Sequence, residues 1–495
     1  MNGGARLATF EGAGRLAAPF LFVMVVAALA VIAFPLPVDF GYQPAARTWI
    51  LYAATGLTVV SVFLSLAGRD MLWVALLAPF LVQYYQVALG WEVELGSTSP
   101  LRLVPLAGVL ALLGIEAVRR RPQLSRVEST VALLWQVGCL IWLLEGAASA
   151  GSPVVLVTWV LTAGVAPLCY FVVRDRLADP AGRRVVMTTV LVGFLVLVVA
   201  SIGISFVALD YRGSASLLSA RNANDGNIVL GYLMLAWPTA LLAARALHPG
   251  LVAPLGLAFV VAAVLLFSRG GLVMVPVLVL GSLLVMADRP RRMAAALGIA
   301  VVGAGVLWSV FDERLGLLAA WTVRLNVSEL KLTDIWSILA TAQDQLVSSG
   351  RSDIWDYARA LFRDAPLTGA GFNSFEALGP GYAEAHSLFF QTAAQMGLVG
   401  LAFLYGTLAW WTFRVVDRLG RRDGLTRIRL LQLAGLGSWL LFTHTVGSGL
   451  VVTSARGLMA NVAGIMLLMI ALQSERMLGD PGPTPALTRR LGGTA

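Results

Sequence analysis

Charge is what this chain has least of: Asp, Glu, Lys and Arg make up 13% of its 495 residues, while 58% are hydrophobic. Soluble domains carry roughly 25% charged residues. With a mean hydropathy of +0.81, the chain has more apolar surface than a water-soluble fold can bury. A soluble globular class is therefore excluded, and the bilayer must act as the solvent. Cysteine is limited to Cys139 and Cys169, both inside apolar runs. Neither a disulfide framework nor a thiolate metal site is expected, and both read as packing residues. Acidic residues do not gather with histidine or cysteine at metal-ligand spacing, and the first outer loop, Pro35–Arg47, offers only Asp39. Divalent cations want several oxygen ligands, so the expected chemistry uses no metal and no cofactor. The net charge of +9 forms no patch. Its arginines lie in short clusters between apolar runs, which argues against nucleic acid as a partner and instead encodes membrane topology.

What is present in abundance is apolar runs near the roughly 20 residues that span hydrocarbon. They are expected at Ala17–Phe34, Trp49–Leu66, Met71–Gly90, Leu103–Val118, Thr130–Ala147, Pro153–Val173 and Val185–Val207. Others follow at Ile228–Ala246, Leu251–Phe267, Leu272–Met286, Ala294–Phe311, Ser387–Val415, Leu430–Val446 and Leu458–Leu472. The expected fold is all-α, a polytopic transmembrane helical bundle of about 12–14 helices with one long, partly helical outer-face loop. The chain divides into helices over 1–311, the loop over 312–385, further helices over 386–475 and a tail over 476–495. The N-terminal run resembles a signal peptide, but it ends in Pro35-Leu36-Pro37 with no small-residue cleavage site, so it reads as a retained first helix.

With the N-terminus inside, inner loops hold Arg69, Arg119-Arg120-Arg121, Arg174, Arg176, Arg183 and Arg184. Later ones hold Arg289, Arg291 and Arg292, then Arg414, Arg418, Arg421 and Arg422, and the tail adds Arg489 and Arg490. This is the positive-inside pattern, with both termini cytoplasmic. Arg212, Arg221, Arg269, Arg351 and Arg456 break it, because the same topology places them at the outer face. Arg269 is the sharpest case, set in Phe267-Ser268-Arg269-Gly270-Gly271 between two apolar helices. Such a charge either snorkels to the interface or forms an anion site.

The outer loop from Asp312 to Ala385 is far longer than an ordinary connection. It contains the polar segment Thr333–Ser349, then a helical pattern over Ser352–Phe362 that ends at Asp364-Ala365-Pro366-Leu367-Thr368-Gly369, with a glycine-rich stretch through Gly381. Ile354, Ala358, Leu361 and Phe362 recur at helical spacing, as they would if the loop packed down as a lid. Three histidines complete the inventory. His248 reads as a helix-end residue and His444 as a packed or hydrogen-bonded one. His386 sits where the loop re-enters the membrane, placed to act as an acid or base. Arginines near such a histidine would form a phosphate clamp, because guanidinium binds phosphate oxygens bidentately and stays charged.

These residues resemble the bacterial O-antigen ligase and polysaccharide polymerase family. The family carries His-(Asn/Ser/Gln), nine residues, then Gly-x-x-(Gly/Thr/Tyr); here His386-Ser387 is followed, after nine residues, by Gly397-Leu398-Val399-Gly400. Gly350-Arg351-Ser352-Asp353-Ile354-Trp355 and Pro366-Leu367-Thr368-Gly369-Ala370-Gly371-Phe372 also fit the family's loop. Ser268-Arg269-Gly270 resembles its short Ser-Arg-Gly turn, and Arg221–Asn227 its earlier Arg-and-Asn loop. Motif similarity covers roughly residues 210 to 405. Where the family typically shows a glutamate just before the motif glycine, this chain has Gln395.

The resemblance implies metal-independent, inverting transfer of a glycan from undecaprenyl pyrophosphate to an acceptor hydroxyl at the outer leaflet of a bacterial inner membrane, with the site facing the periplasm. His386 would take the acceptor proton. Arg269 and Arg221, in preference to Arg212, would hold the pyrophosphate, while Arg351 would orient the lid or contact phosphate. Arg456 joins them only by its outer-face position. A ligase would act on lipid A-core and a polymerase on a growing lipid-linked glycan. A lipid-linked oligosaccharide flippase is the alternative of another class; transporters place charges near the midplane on broken helices, whereas here they lie at outer helix ends.

Overall fold

The computed structural model describes residues 44–89, 104–150, 154–212, 226–266, 268–286, 298, 351–379, 384–421, 425–445 and 458–478. The expected helix Ala17–Phe34, all of the expected helix Ala294–Phe311 except residue 298, Asp39, the segment Thr333–Ser349 and the tail beyond residue 478 lie outside this set.

The chain is an all-α polytopic helical bundle, and no strand occurs among the described residues. Its first helices are α1 (Pro44–Leu66), α2 (Leu72–Leu89), α3 (Val104–Arg120), α4 (Arg126–Ala150), α5 (Val154–Ala178) and α6 (Pro180–Arg212). Then come α7 (Gly226–Leu247), α8 (Val252–Leu265) and α9 (Arg269–Met286). After the outer loop follow α10 (Arg351–Asp364), the short α11 (Ser374–Leu378), α12 (Leu388–Asp417), α13 (Thr426–Thr445) and α14 (Leu458–Ala471). Five of these are long and apolar enough to cross a membrane, and shorter apolar helices accompany them.

At two helix starts, capping carries the helix beyond the hydropathy estimate. α4 starts at Arg126 rather than Thr130 because Ser125 and Glu128 form a reciprocal capping box: Glu128 N–H donates to Ser125 Oγ at 3.2 Å, and Ser125 N–H to Glu128 Oε2 at 2.9 Å. α6 starts at Pro180 because the Asp179 carboxylate accepts from the N–H groups of Ala181 and Gly182, with proline at the first helical position.

α7 is the hub. Nearly all its residues from Gly226 to Ala244 are buried, and it packs against α6, α8, α13 and α14. A helix apolar all round has no solvent-facing stripe and suits a central position. Its Pro238 is matched by Gly435 on α13, where a Cβ would lie 2.5 Å from Pro238 Cγ. Cys139 and Cys169 are fully buried in the core, as packing residues.

Among the described residues, arginines of several helix connections gather at one end of the bundle. Arg176 reaches Glu116 at 2.7 Å and Asp70 at 2.8 Å, while Arg120 reaches Glu116 at 2.6 Å and Asp175 at 3.2 Å. This ties the ends of α3 and α5 to the start of α2. Arg174 pairs with Glu128 at the start of α4. Glu475 joins Arg418 at 3.1 Å to Arg429 at 2.8 Å, closing the α12–α13 connection onto the segment after α14. Arg176 and Glu116 are both nearly buried. Burying such charges costs free energy unless every one is paired, which accounts for the closed network.

Candidate functional site

The opposite end of the bundle holds the sequence motifs. The α8–α9 connection is as short as the sequence suggests. Ser268 caps α9, its Oγ accepting from Gly271 N–H at 3.2 Å and donating to Asn227 Oδ1 at 2.9 Å. Arg269 is therefore the first residue of α9, at a helix N-terminus where backbone N–H groups and the helix dipole favour an anion. α7 begins hard against this turn, since a Cβ on Gly226 would sit 2.4 Å from the Leu266 carbonyl oxygen. The Asn227 contact joins two sequence motifs, the Arg221–Asn227 loop and the Ser-Arg-Gly turn.

α12 is broken, where the hydropathy pattern predicts one continuous span. Gly397 adopts φ 62° and ψ −160°, a region open essentially only to glycine. The break exposes backbone groups about 13 Å along the helix from Leu388, and the Pro366–Phe372 motif satisfies them. Ala370 and Gly371 donate to the carbonyls of Ala394 and Gln395, each at 2.9 Å. Leu398 donates to Pro366 O at 2.9 Å and Val399 to Leu367 O at 3.1 Å. The remaining carbonyl, of Met396, accepts from Trp142 Nε1 at 3.2 Å.

The loop also locks onto α4 and α5. Phe372 N–H donates to Trp142 O at 2.9 Å, the Ser149 hydroxyl lies 2.8 Å from Ala370 O, and Asn373 Nδ2 donates to Thr158 Oγ1 at 3.2 Å. Contact is backbone to backbone: a Cβ on Gly371 would lie 1.9 Å from Gly146 N. Irregular backbone packed among membrane helices needs its polar groups paired by protein, and Ala370, Gly371 and Phe372 are paired in this way. Gln395 is fully buried beside the break.

α10 packs through its apolar face. Ala358 and Leu361 are buried with Phe375, Ala385 and Ala394, with Ile354, Tyr357 and Phe390 against them. Trp355 stacks on Phe390 at 5.1 Å and donates through Nε1 to Ala385 O at 3.0 Å. Ala385 N–H donates to Oε1 of the fully buried Gln391 at 2.6 Å. Both backbone groups of Ala385 are thereby held, and His386 follows at φ 49°. Histidine tolerates the left-handed region better than most residues, but still at a cost that surrounding structure must offset. Its Nδ1 lies 3.0 Å from Glu384 Oε1. Arg351 opens α10 one turn before Trp355 and so shares its helix face.

Thr239, in the second half of α7, reaches Ser474 at 3.2 Å, beside the Arg418–Glu475 pairs. The start of α7, and with it the Ser268 turn, therefore lies at the end away from those pairs, as does the start of α12. Arg269 and His386 share that end of the bundle, on helices joined through α13, which packs against both α9 and α12. Arg212 ends α6 at its last residue. Arg221 and Arg456 lie outside the described residues. His248 Nδ1 accepts from Gly250 N–H at a helix end. His444 Nδ1 lies 2.6 Å from Leu440 O, which can only accept; that nitrogen therefore carries the proton, and Nε2 accepts from Tyr405 OH at 2.6 Å.

Sequence reading misses Glu384, Gln391, Trp142 and Thr158. Only Glu384 carried a signal, as an acid two residues before the motif histidine; the others become visible once the chain brings them together.

Residues 254–405 match the family model described as O-antigen ligase. The matched segment runs from α8 through the Arg269 turn, α10, the Pro366–Phe372 loop and the His386 turn into α12. No curated protein and no solved structure matches the chain.

Proposed function

We propose that this multi-pass membrane protein, which carries the O-antigen ligase family region over residues 254–405, transfers a glycan from undecaprenyl pyrophosphate to an acceptor hydroxyl at the outer leaflet, as a ligase does. The family supports ligase- or polymerase-type glycosyl transfer on lipid-linked glycans in general. The observation that carries the finer reading is the His386 turn: a histidine with one ring nitrogen against a carboxylate, seated under a docked helix on the same end of the bundle as the Arg269 helix start.

In this reading His386 removes the acceptor proton as the hydroxyl oxygen attacks the anomeric carbon. The glycosyl–phosphate bond breaks with inversion, and undecaprenyl pyrophosphate departs. Arg269, Arg221 and the α9 N-terminus bind the growing phosphate charge, with Arg351 against the donor under α10. Arg212 and Arg456 are secondary candidates for the same charge. α10 covers the site, and the arginine-rich end faces the cytoplasm. The acceptor is lipid A-core.

The test uses purified protein with an undecaprenyl pyrophosphate-linked oligosaccharide, candidate acceptors and a chelator. Wild type is expected to transfer glycan, and His386→Ala to lose about 10²- to 10⁴-fold in rate. A single added block supports the ligase, and a ladder the polymerase. Donor movement across liposomes without transfer would replace the reading with a flippase.

A further inference from the structure

We propose that Glu384 is the positioning residue of His386: it holds the proton on Nδ1 and so presents Nε2 as the base. The inference rests on the functional reading above and deepens it, from the 3.0 Å approach of Glu384 Oε1 to His386 Nδ1.

Imidazole is a base through one nitrogen only, and which one is set by what the other nitrogen meets. An acceptor-only carboxylate at Nδ1 keeps the proton there, so the lone pair lies on Nε2. It also stabilises the imidazolium formed once the acceptor hydroxyl gives up its proton. Proton balance is simple: the acceptor proton passes to Nε2, and the carboxylate keeps its charge throughout.

The backbone supports the arrangement independently. Ala385 separates the two side chains, and it is the residue fixed by Trp355 on its carbonyl and Gln391 on its N–H. With Ala385 held and His386 in the left-handed region, the acid and the histidine meet across a short turn. The pairing is partly shielded: the glutamate side chain is 24% exposed and the histidine 41%. Among the elements packed here, α12 has no charged residue from Leu388 to Val399. α10 contributes Arg351 one turn before Trp355, and Arg359 over Phe390. α10 also carries Asp353 and Asp356, the latter paired with Arg359, and Glu384 is the carboxylate that lies at Nδ1.

The experiment compares purified full-length wild type, Glu384→Gln, Glu384→Ala and His386→Ala. Each is given the undecaprenyl pyrophosphate-linked donor and the acceptor glycolipid that wild type glycosylates, across a pH series. Glu384→Ala is expected to lower kcat about 10- to 100-fold at unchanged KM. Glu384→Gln should lose less, because the amide oxygen can still accept from Nδ1–H. It should also move the acid limb of kcat/KM to lower pH, since removing the carboxylate makes the imidazolium easier to deprotonate. The glutamine variant is isosteric and carries the test if the alanine variant fails to fold. Wild-type kcat and an unmoved acid limb in Glu384→Gln, with His386→Ala inactive, would overturn this inference and leave the functional reading standing. Full activity in His386→Ala would overturn both.

Discussion

Replacing Gly397 by alanine tests whether the break in α12 is a built feature. At φ 62° and ψ −160° an L-residue is strained by about 1–3 kcal/mol. The added Cβ would also meet Leu367 O at 2.4 Å and Gly369 N at 2.5 Å, which are backbone atoms with no rotamer to change. The loop must then withdraw, giving up the bonds of Ala370, Gly371, Leu398 and Val399 across the break and that of Phe372 to Trp142 O. At about 0.6 kcal/mol for each such bond in a membrane protein, their loss adds roughly 3 kcal/mol. The sum, about 4–6 kcal/mol, is a large part of the 5–15 kcal/mol typical of a folded domain. Gly406, farther along α12 with nothing near its Cβ position, provides the control. Alanine there should be neutral or stabilising by up to about 1 kcal/mol, from helix propensity alone. The assay is the fraction of detergent-solubilised protein that stays monodisperse after heating, read with glycan transfer on the same samples. Gly397→Ala matching Gly406→Ala in both would refute the account of the break.

Two further outcomes follow from the arginine-rich end. Glu116→Gln leaves Arg176 and Arg120 short of their shared, nearly buried carboxylate. It should destabilise the protein by about 3 kcal/mol, while transfer per folded molecule stays at the wild-type level. Asp179→Ala removes the cap of α6 and should cost about 0.5–2 kcal/mol. The Asp179 carboxyl is held below the usual carboxylate range, chiefly by the Gly182 N–H. A group whose folded-state pKa is depressed contributes fully above its unfolded value of about 4 and loses that contribution as pH falls through the lower, folded value. The stability difference between wild type and Asp179→Ala, measured by the same heating assay, should accordingly be present at neutral pH and vanish in acid.

Much of the architecture is legible in the sequence, because the signals are local. An apolar run of bilayer length must form a helix to satisfy its own backbone, so the observed helices fall close to the hydropathy estimates. Charge sorting put the connections holding Arg69, Arg119–Arg121 and Arg174–Arg176 on one side, and at that end Arg176, Glu116 and Asp70 meet. Capping chemistry at Ser125–Glu128 and Asp179–Pro180 was written in the residues as well. The Ser-Arg-Gly turn and the apolar face of α10 were readable for the same reason.

Burial order was not readable. α4 and α7 both read as membrane spans, yet 22% of the α4 span is buried and 94% of the α7 span. Lipid tails are as apolar as a protein interior, so hydropathy cannot tell a peripheral helix from a central one. The break in α12 was hidden for a related reason: Gly397 inside an apolar run looks like any small helical residue until the Pro366–Phe372 segment, some thirty residues earlier, arrives to pair its backbone. The setting of His386 was decided the same way. Sequence named the histidine from its motif, but only the fold brought Trp355 and Gln391 to Ala385 and turned the backbone so that Glu384 meets the ring. Local chemistry determined which segments are helices and which residues were worth watching; the pairing of distant backbone groups, which no local pattern encodes, decided where they stand.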